Sequence, residues 1–129
     1  MVQIVEGLAE ISERYDALFC DLWGCLHDGV TSLPEAVAAL RAFRQAGKKV
    51  VLLTNAPRSR FEVAKQLVHF NVPDNCWDTI ATSGDSARSA MFRGAIGEKV
   101  WFMGSDTDTA FFDPIKVVKH PVTIERVPL

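Results

Sequence analysis

Short unbroken apolar runs alternate along the chain with segments whose apolar residues recur at helical spacing. The runs ALFCDL (17–22) and KKVVLLTN (48–55) have the near-continuous hydrophobicity of parallel strands buried on both faces. Between them, Pro34 opens a segment that places Ala36, Val37, Leu40 and Phe43 on one helical face, and Gly47 closes it. Strand, helix and strand in that order make a βαβ unit. A second helix is expected over residues 58–70, with Phe61, Ala64, Leu67 and Val68 inward. The run WDTIATS (77–83) supplies a third strand, and a helix over 84–93 turns Ala87, Ala90 and Met91 inward. This alternation predicts an open α/β sheet with helices on its faces.

After Gly97 the texture changes. KVWFMG leads through SDTDTAFFDP into IKVVKHPVTIERV, which has a strand-like register and no amphipathic helix long enough to cover it. The expected division is residues 1–96 as one unit and 97–129 as the start of another. Three strands are few for a doubly wound sheet, and Leu129 is reached without a closing helix. The expectation is therefore either a partner, such as a second copy, over the open edge, or a longer protein of which these are the first residues.

Composition narrows the classes of partner. In 129 residues, 48% are hydrophobic and 23% charged, with a formal net charge of −2 and no basic stripe, which disfavours nucleic acid. The N-terminal MVQIVEGLAEISERY has no apolar export core, and no run approaches the roughly 18 apolar residues of a membrane span, so a cytoplasmic protein is expected. Cys20, Cys25 and Cys76 are odd in number and lack CxxC spacing, which reads as reduced thiols rather than a disulfide or zinc framework.

Candidate chemistry centres on FCDLWGCLHDG, residues 19–29. Ligands of open α/β sheets bind at the carboxyl ends of the strands, and Asp21 and Thr54 both stand at such ends. A carboxylate there can attack phosphorus or hold a divalent cation, while a threonine hydroxyl and nearby backbone amides can hold phosphate oxygens. Gly24 and Gly29 allow tight turns beside the reacting group.

DLWGCLHDG, followed about thirty residues later by VVLLTNAPRS, resembles the first two motifs of the haloacid dehalogenase superfamily. The nearest likeness is to its subclass IIA, the nucleotide monophosphatase and 4-nitrophenylphosphatase type. ATSGDSARSAMF and KVWFMG resemble the segments that end the first half of that core and begin its cap. The resemblance implies the first half of a Rossmann-like parallel-sheet core with helices on both faces, then the beginning of an inserted α/β cap domain. It implies Asp21 as the nucleophile that forms an aspartyl-phosphate and as a Mg²⁺ ligand, with the Trp23 carbonyl as the second protein ligand. Thr54 would hydrogen-bond the transferring phosphoryl group, and Gly24, Asn55, Ala56 and Arg58 would contact the substrate. The implied function is the N-terminal part of a Mg²⁺-dependent phosphatase acting on a small phosphorylated metabolite. The alternative is a degenerate, non-catalytic phosphate-binding or phospho-acceptor module.

Two departures qualify the resemblance. Where most phosphatases of the superfamily carry an acid/base aspartate, two residues after the nucleophile, this chain has Trp23, and an indole gives up no proton at neutral pH. His27 and Asp28 are the nearby alternatives; as loop and turn residues, both are expected to bond to backbone. Trp23 reads either as a plug against the core or as a stacking platform. The second departure is that the lysine and further acids of the later motifs have no counterpart: Lys48, Lys49, Lys116 and Lys119 lie far from the crevice or in the cap. Asp85 is expected to cap a helix, and Asp106, Asp108 and Asp113 to be solvated loop acids. Arg58 and Arg60 are candidates for phosphate contact. The 129-residue chain alone is expected to turn over little substrate and to bind Mg²⁺ weakly.

Overall fold

The computed structural model describes residues 4–97, 99–104, 111–113 and 118–121, the last stretch as backbone only. A short helix α1 (Ala9–Ser12) precedes β1 (Ala17–Cys20), α2 (Pro34–Gln45), β2 (Lys49–Thr54), α3 (Arg60–His69) and a 3-10 turn (Asp74–Cys76). β3 (Thr79–Thr82), α4 (Ser83–Phe92), β4 (Lys99–Phe102) and β5 (Val118–Pro121) follow. β1, β2 and β3 form one parallel sheet in that order, and β4 and β5 pair in parallel as a second sheet. The texture change after Gly97 immediately precedes β4, the first strand of the second sheet. The hydrophobic pattern announced neither α1 nor the 3-10 turn.

Helix α2 forms where expected and for the expected reasons. Leu33 is extended (φ −90°, ψ 108°), Pro34 supplies the first helical position, and Gly47 adopts φ +81° just past the end, a conformation that penalises any side chain. Glu35 in the first turn and Arg44 in the last complement the helix dipole. Its buried residues, Val37, Leu40 and Phe43, face Val50 and Leu52 of β2.

Helix α3 keeps its expected position but is rotated about its axis. It buries Val63 and Leu67, while Phe61 and Val68 remain 73% and 74% exposed. Leu67 and the partly buried Ala64 face inward as expected, while Val63, with Phe70 and Val72 beyond the helix, takes the place of Phe61 and Val68. In α4 the only fully buried residue is Gly84; of the expected inward face, Ala90 and Met91 are partly buried and Ala87 is exposed.

Both βαβ crossovers step in the same direction across the sheet, so right-handed connections carry α2 and α3 to one face. That face holds the core: Val50, Leu52 and Ile80 from the strands, Val37, Leu40 and Phe43 from α2, and Val63 and Leu67 from α3. On the opposite face the register brings Phe19, Val51 and Leu53 together, and Phe19 and Leu53 are 68% and 49% exposed. Burial on both sides of the strands therefore holds for one face among the described residues.

The amino edge of the sheet is fastened by Asp78. Its carboxylate accepts from Arg44 Nε and Nη2 (3.2 and 3.1 Å), Lys49 Nζ (3.3 Å) and the Val50 amide (2.8 Å). The Val50 amide, followed by Arg44, holds the Asp78 carboxyl down at about 2. One residue thereby ties the end of α2 to the start of β2 and the approach to β3. Lys48, on the same edge, donates to the Ser12 and Tyr15 carbonyls.

Candidate active site

The geometry of the carboxyl edge follows from strand pairing. In the parallel register Cys20 faces Leu52 and Thr54 faces Thr82, so Asp21 and Thr54 leave adjacent strands on the same edge of the sheet. Asp21 Oδ1 accepts the Leu22 amide at 2.8 Å, which fixes the carboxylate and leaves Oδ2 for chemistry. The chain then turns on itself. The Leu22 carbonyl accepts from the amides of Leu26 (2.8 Å) and His27 (3.1 Å), and Gly24, at φ +74°, donates its amide to the His27 carbonyl at 2.8 Å. Leu22 and Leu26 are buried and pin this loop to the core.

His27 is 5% exposed, and its Nδ1 accepts the Gly29 amide at 3.1 Å while its ring lies 4.6 Å from that of Phe70. Burial pushes its pKa below the ordinary value, against the opposing pull of Asp28 and Asp21. The ring is structural. Asp28 Oδ1 accepts the amides of Val30 and Thr31, both at 2.8 Å, an Asx turn that lowers its pKa. Trp23 is not a plug: it is 69% exposed, its ring edge-on to His27 at 5.8 Å and seated over Gly29.

The second loop is braced from behind. Thr54 Oγ1 accepts the Ala56 amide at 3.2 Å, which directs the hydroxyl proton away to another acceptor. The amides of Gly24 and Ala56, expected to contact substrate, are thus both spent inside the protein. The Ala56 carbonyl accepts the Gly84 amide at 3.1 Å, and Gly84 sits so close to the Arg58 backbone that no side chain fits between them.

Asp85 does not cap its own helix. Thr82 Oγ1 takes the Asp85 amide at 2.8 Å, and the Asp85 carboxylate reaches across to Arg60, accepting from Nε at 2.6 Å and from the backbone amide at 3.4 Å. Arg60 is therefore occupied by an ion pair, whereas Arg58 is exposed beside a cavity of about 780 Å³. Pro57, Ser59, Arg88, Phe102 and Phe111 also line it, but Asp21 and Thr54 do not. Arg88 donates to the carbonyls of Phe111 and of Asp113 (2.9 Å), tying α4 to the segment beyond β4.

A sequence model described as haloacid dehalogenase-like hydrolase matches residues 18–116, most of the chain. The chain belongs to the haloacid dehalogenase-like hydrolases. No curated protein matches it. Among solved structures it is similar to a crystal structure of a hydrolase of the haloacid dehalogenase-like family from Brucella suis 1330. The two share 36% sequence identity with a TM-score of 0.82 over 92% of this chain and 44% of that one. The chain thus spans less than half the length of that relative.

For a haloacid dehalogenase-like hydrolase, a hard cation such as Mg²⁺ is the expected cofactor. The donor set fits it: Asp21 and the Trp23 carbonyl offer oxygen donors of the type it would take, and Mg²⁺ commonly keeps several waters when bound by one or two carboxylates. No group of three His, Cys, Asp or Glu able to hold a metal exists among the described residues. All three cysteines are free, and no described helix is long and apolar enough to cross a membrane. Asp106, Asp108, Lys116 and the side chain of Lys119 lie outside the described residues.

Sequence reasoning missed Gly84 and Arg88 as organisers of this hydrolase. A glycine one residue inside a helix was the available signal for a close backbone approach. Arg88 gave none, because its partners are carbonyls 23 and 25 residues away.

Proposed function

We propose that this is the N-terminal part of a subclass IIA phosphatase, residues 1–96 belonging to the core and 97–129 beginning the cap, which hydrolyses a small phosphomonoester through Asp21. The observation that carries the reading is the placement of Asp21 and Thr54 on one carboxyl edge, with Asp21 held by the Leu22 amide and the Thr54 hydroxyl oriented by Ala56.

Asp21 Oδ2 attacks phosphorus, an Oδ–P bond forms, and the ester P–O bond breaks to release the alcohol as its oxyanion. Thr54 donates to a phosphoryl oxygen. Water then cleaves the aspartyl-phosphate to inorganic phosphate and restores the carboxylate. Asp21 and the Trp23 carbonyl would hold Mg²⁺, which would supply charge neutralisation at the phosphoryl oxygens. Nothing next to Asp21 serves as the leaving-group acid: His27 is buried and bonded to backbone, and Asp28 is committed to its turn.

That gap favours one second reading, a module that binds phosphate without turning it over. The two separate on a covalent label. After incubation with 4-nitrophenyl phosphate and Mg²⁺ and an acid quench, borohydride reduction converts an aspartyl-phosphate to homoserine, which peptide mass spectrometry locates. Homoserine at position 21, absent from Asp21→Asn, is the expected result. Phosphate binding with no label would favour the binding module, and a label surviving Asp21→Asn would overturn Asp21 as nucleophile.

A further inference from the structure

Trp23 is an anomaly of position. It stands two residues after Asp21, in a loop whose neighbours Leu22 and Leu26 are buried, yet it is itself 69% exposed. Scattered surface aromatics are common and need no explanation. This ring, however, is held in place. It lies over Gly29, where even a Cβ would collide with ring atoms Cη2 and Cζ3, and Gly29 adopts φ +92°. His27 meets it edge-on at 5.8 Å, and His27 is in turn buried and fixed by the Gly29 amide. A backbone bridge between Trp23 and His27 sets the spacing from below. The loop thus devotes a glycine and a buried histidine to fixing an indole it does not bury.

We propose that Trp23 is a stacking platform for the leaving group of the phosphomonoester, and that the ligand class it selects is a planar aromatic ester. The proposal rests on the reading of Asp21 as nucleophile. Two features at the same position agree. A flat, pre-ordered π surface rewards a flat ligand, with little side-chain entropy left to lose. The same substitution that installs the indole removes the acid an alkyl leaving group needs, whereas a phenolate departs without protonation. Both select for aryl over alkyl esters, one in binding and one in chemistry.

The test is made on the 129-residue chain with excess Mg²⁺, titrated with inorganic phosphate, methyl phosphonate and phenyl phosphonate by calorimetry and tryptophan emission. Aromatic stacking in nucleic-acid sites contributes enough to predict at least about tenfold tighter binding of phenyl than of methyl phosphonate. Phenyl phosphonate should also change the emission in a Trp101→Phe background, since Trp101 is similarly exposed. Trp23→Leu should erase the ratio between the two phosphonates, and Trp23→Phe should restore most of it. Equal affinities for the two phosphonates, or a preference that survives Trp23→Leu, would overturn the platform alone. Failure of phosphate and both phosphonates to bind would overturn the phosphoryl site and the platform with it.

Discussion

Gly84→Ala inverts a familiar rule, and the structure gives its size. Alanine inside a helix is ordinarily favoured over glycine by about 1 kcal/mol. At Gly84 the added Cβ would stand 2.5 Å from the Arg58 carbonyl carbon and 2.7 Å from its nitrogen, and nearer still to its oxygen. These are backbone atoms, with no rotamer to yield. Either α4 or the loop after β2 must move. Overpacking of this kind costs ~1–3 kcal/mol, and displacing the Gly84 amide from the Ala56 carbonyl costs ~1 kcal/mol more. Against the helix gain, the net is a loss of about 1–3 kcal/mol. For a chain of this size that lowers Tm by about 4–12 °C, taking roughly 4 °C per kcal/mol. Thermal unfolding followed by circular dichroism measures it, and hydrogen exchange at residues 55–60 should rise in the variant. Gly7→Ala is the control, since nothing lies within 4 Å of its built Cβ, and it should be neutral or slightly stabilising. If Gly84→Ala melts at or above the parent temperature, the close approach of α4 to the loop after β2 is wrong.

Two more perturbations separate the covered from the uncovered parts of the fold. The Asp78 carboxyl lies at about 2 in the folded protein against 3.8 unfolded, so its contribution is full above about pH 4 and fades as pH falls toward 2. Urea stability measured in steps across that window should therefore fall less steeply in Asp78→Asn than in the parent, and parallel curves would contradict the assigned partners. Leu52 and Leu53 are sequence neighbours on opposite faces, fully buried and 49% exposed. Leu52→Ala should cost ~2–5 kcal/mol and Leu53→Ala under about 1 kcal/mol in urea unfolding, and equal losses would mean that the second face is covered in solution.

What was legible in the sequence divides along one physical line. The three strands, α2 with its Pro34 and Gly47, and the strand-end placement of Asp21 and Thr54 depend on local pattern and on parallel pairing, which a single chain displays directly. The rotation of α3 was misread because Phe61 and Val68 are apolar and seven residues apart, a spacing that imitates an inner stripe. Val63, which is buried, was outvoted by larger side chains. Asp85 was misread because the sequence offers two oxygens for one cap: Thr82 takes the cap, which frees the carboxylate to leave its own helix for Arg60.

That exchange connects fold to site. Asp85 accepts from the first helical amide of α3 and from the side chain of the same residue, while Gly84 lies flat on Arg58. The loop from Thr54 to Arg60 is therefore clamped by two consecutive residues of α4 in addition to its own Thr54–Ala56 hydrogen bond. Asn55 and Arg58 are left exposed at its tip, whereas the Ala56 amide is turned inward to Thr54 Oγ1. The order of the loop after β2 thus depends on the next βα unit along the sheet. A change in α4 should reach the proposed phosphoryl site through Arg58 and Arg60 without touching Asp21.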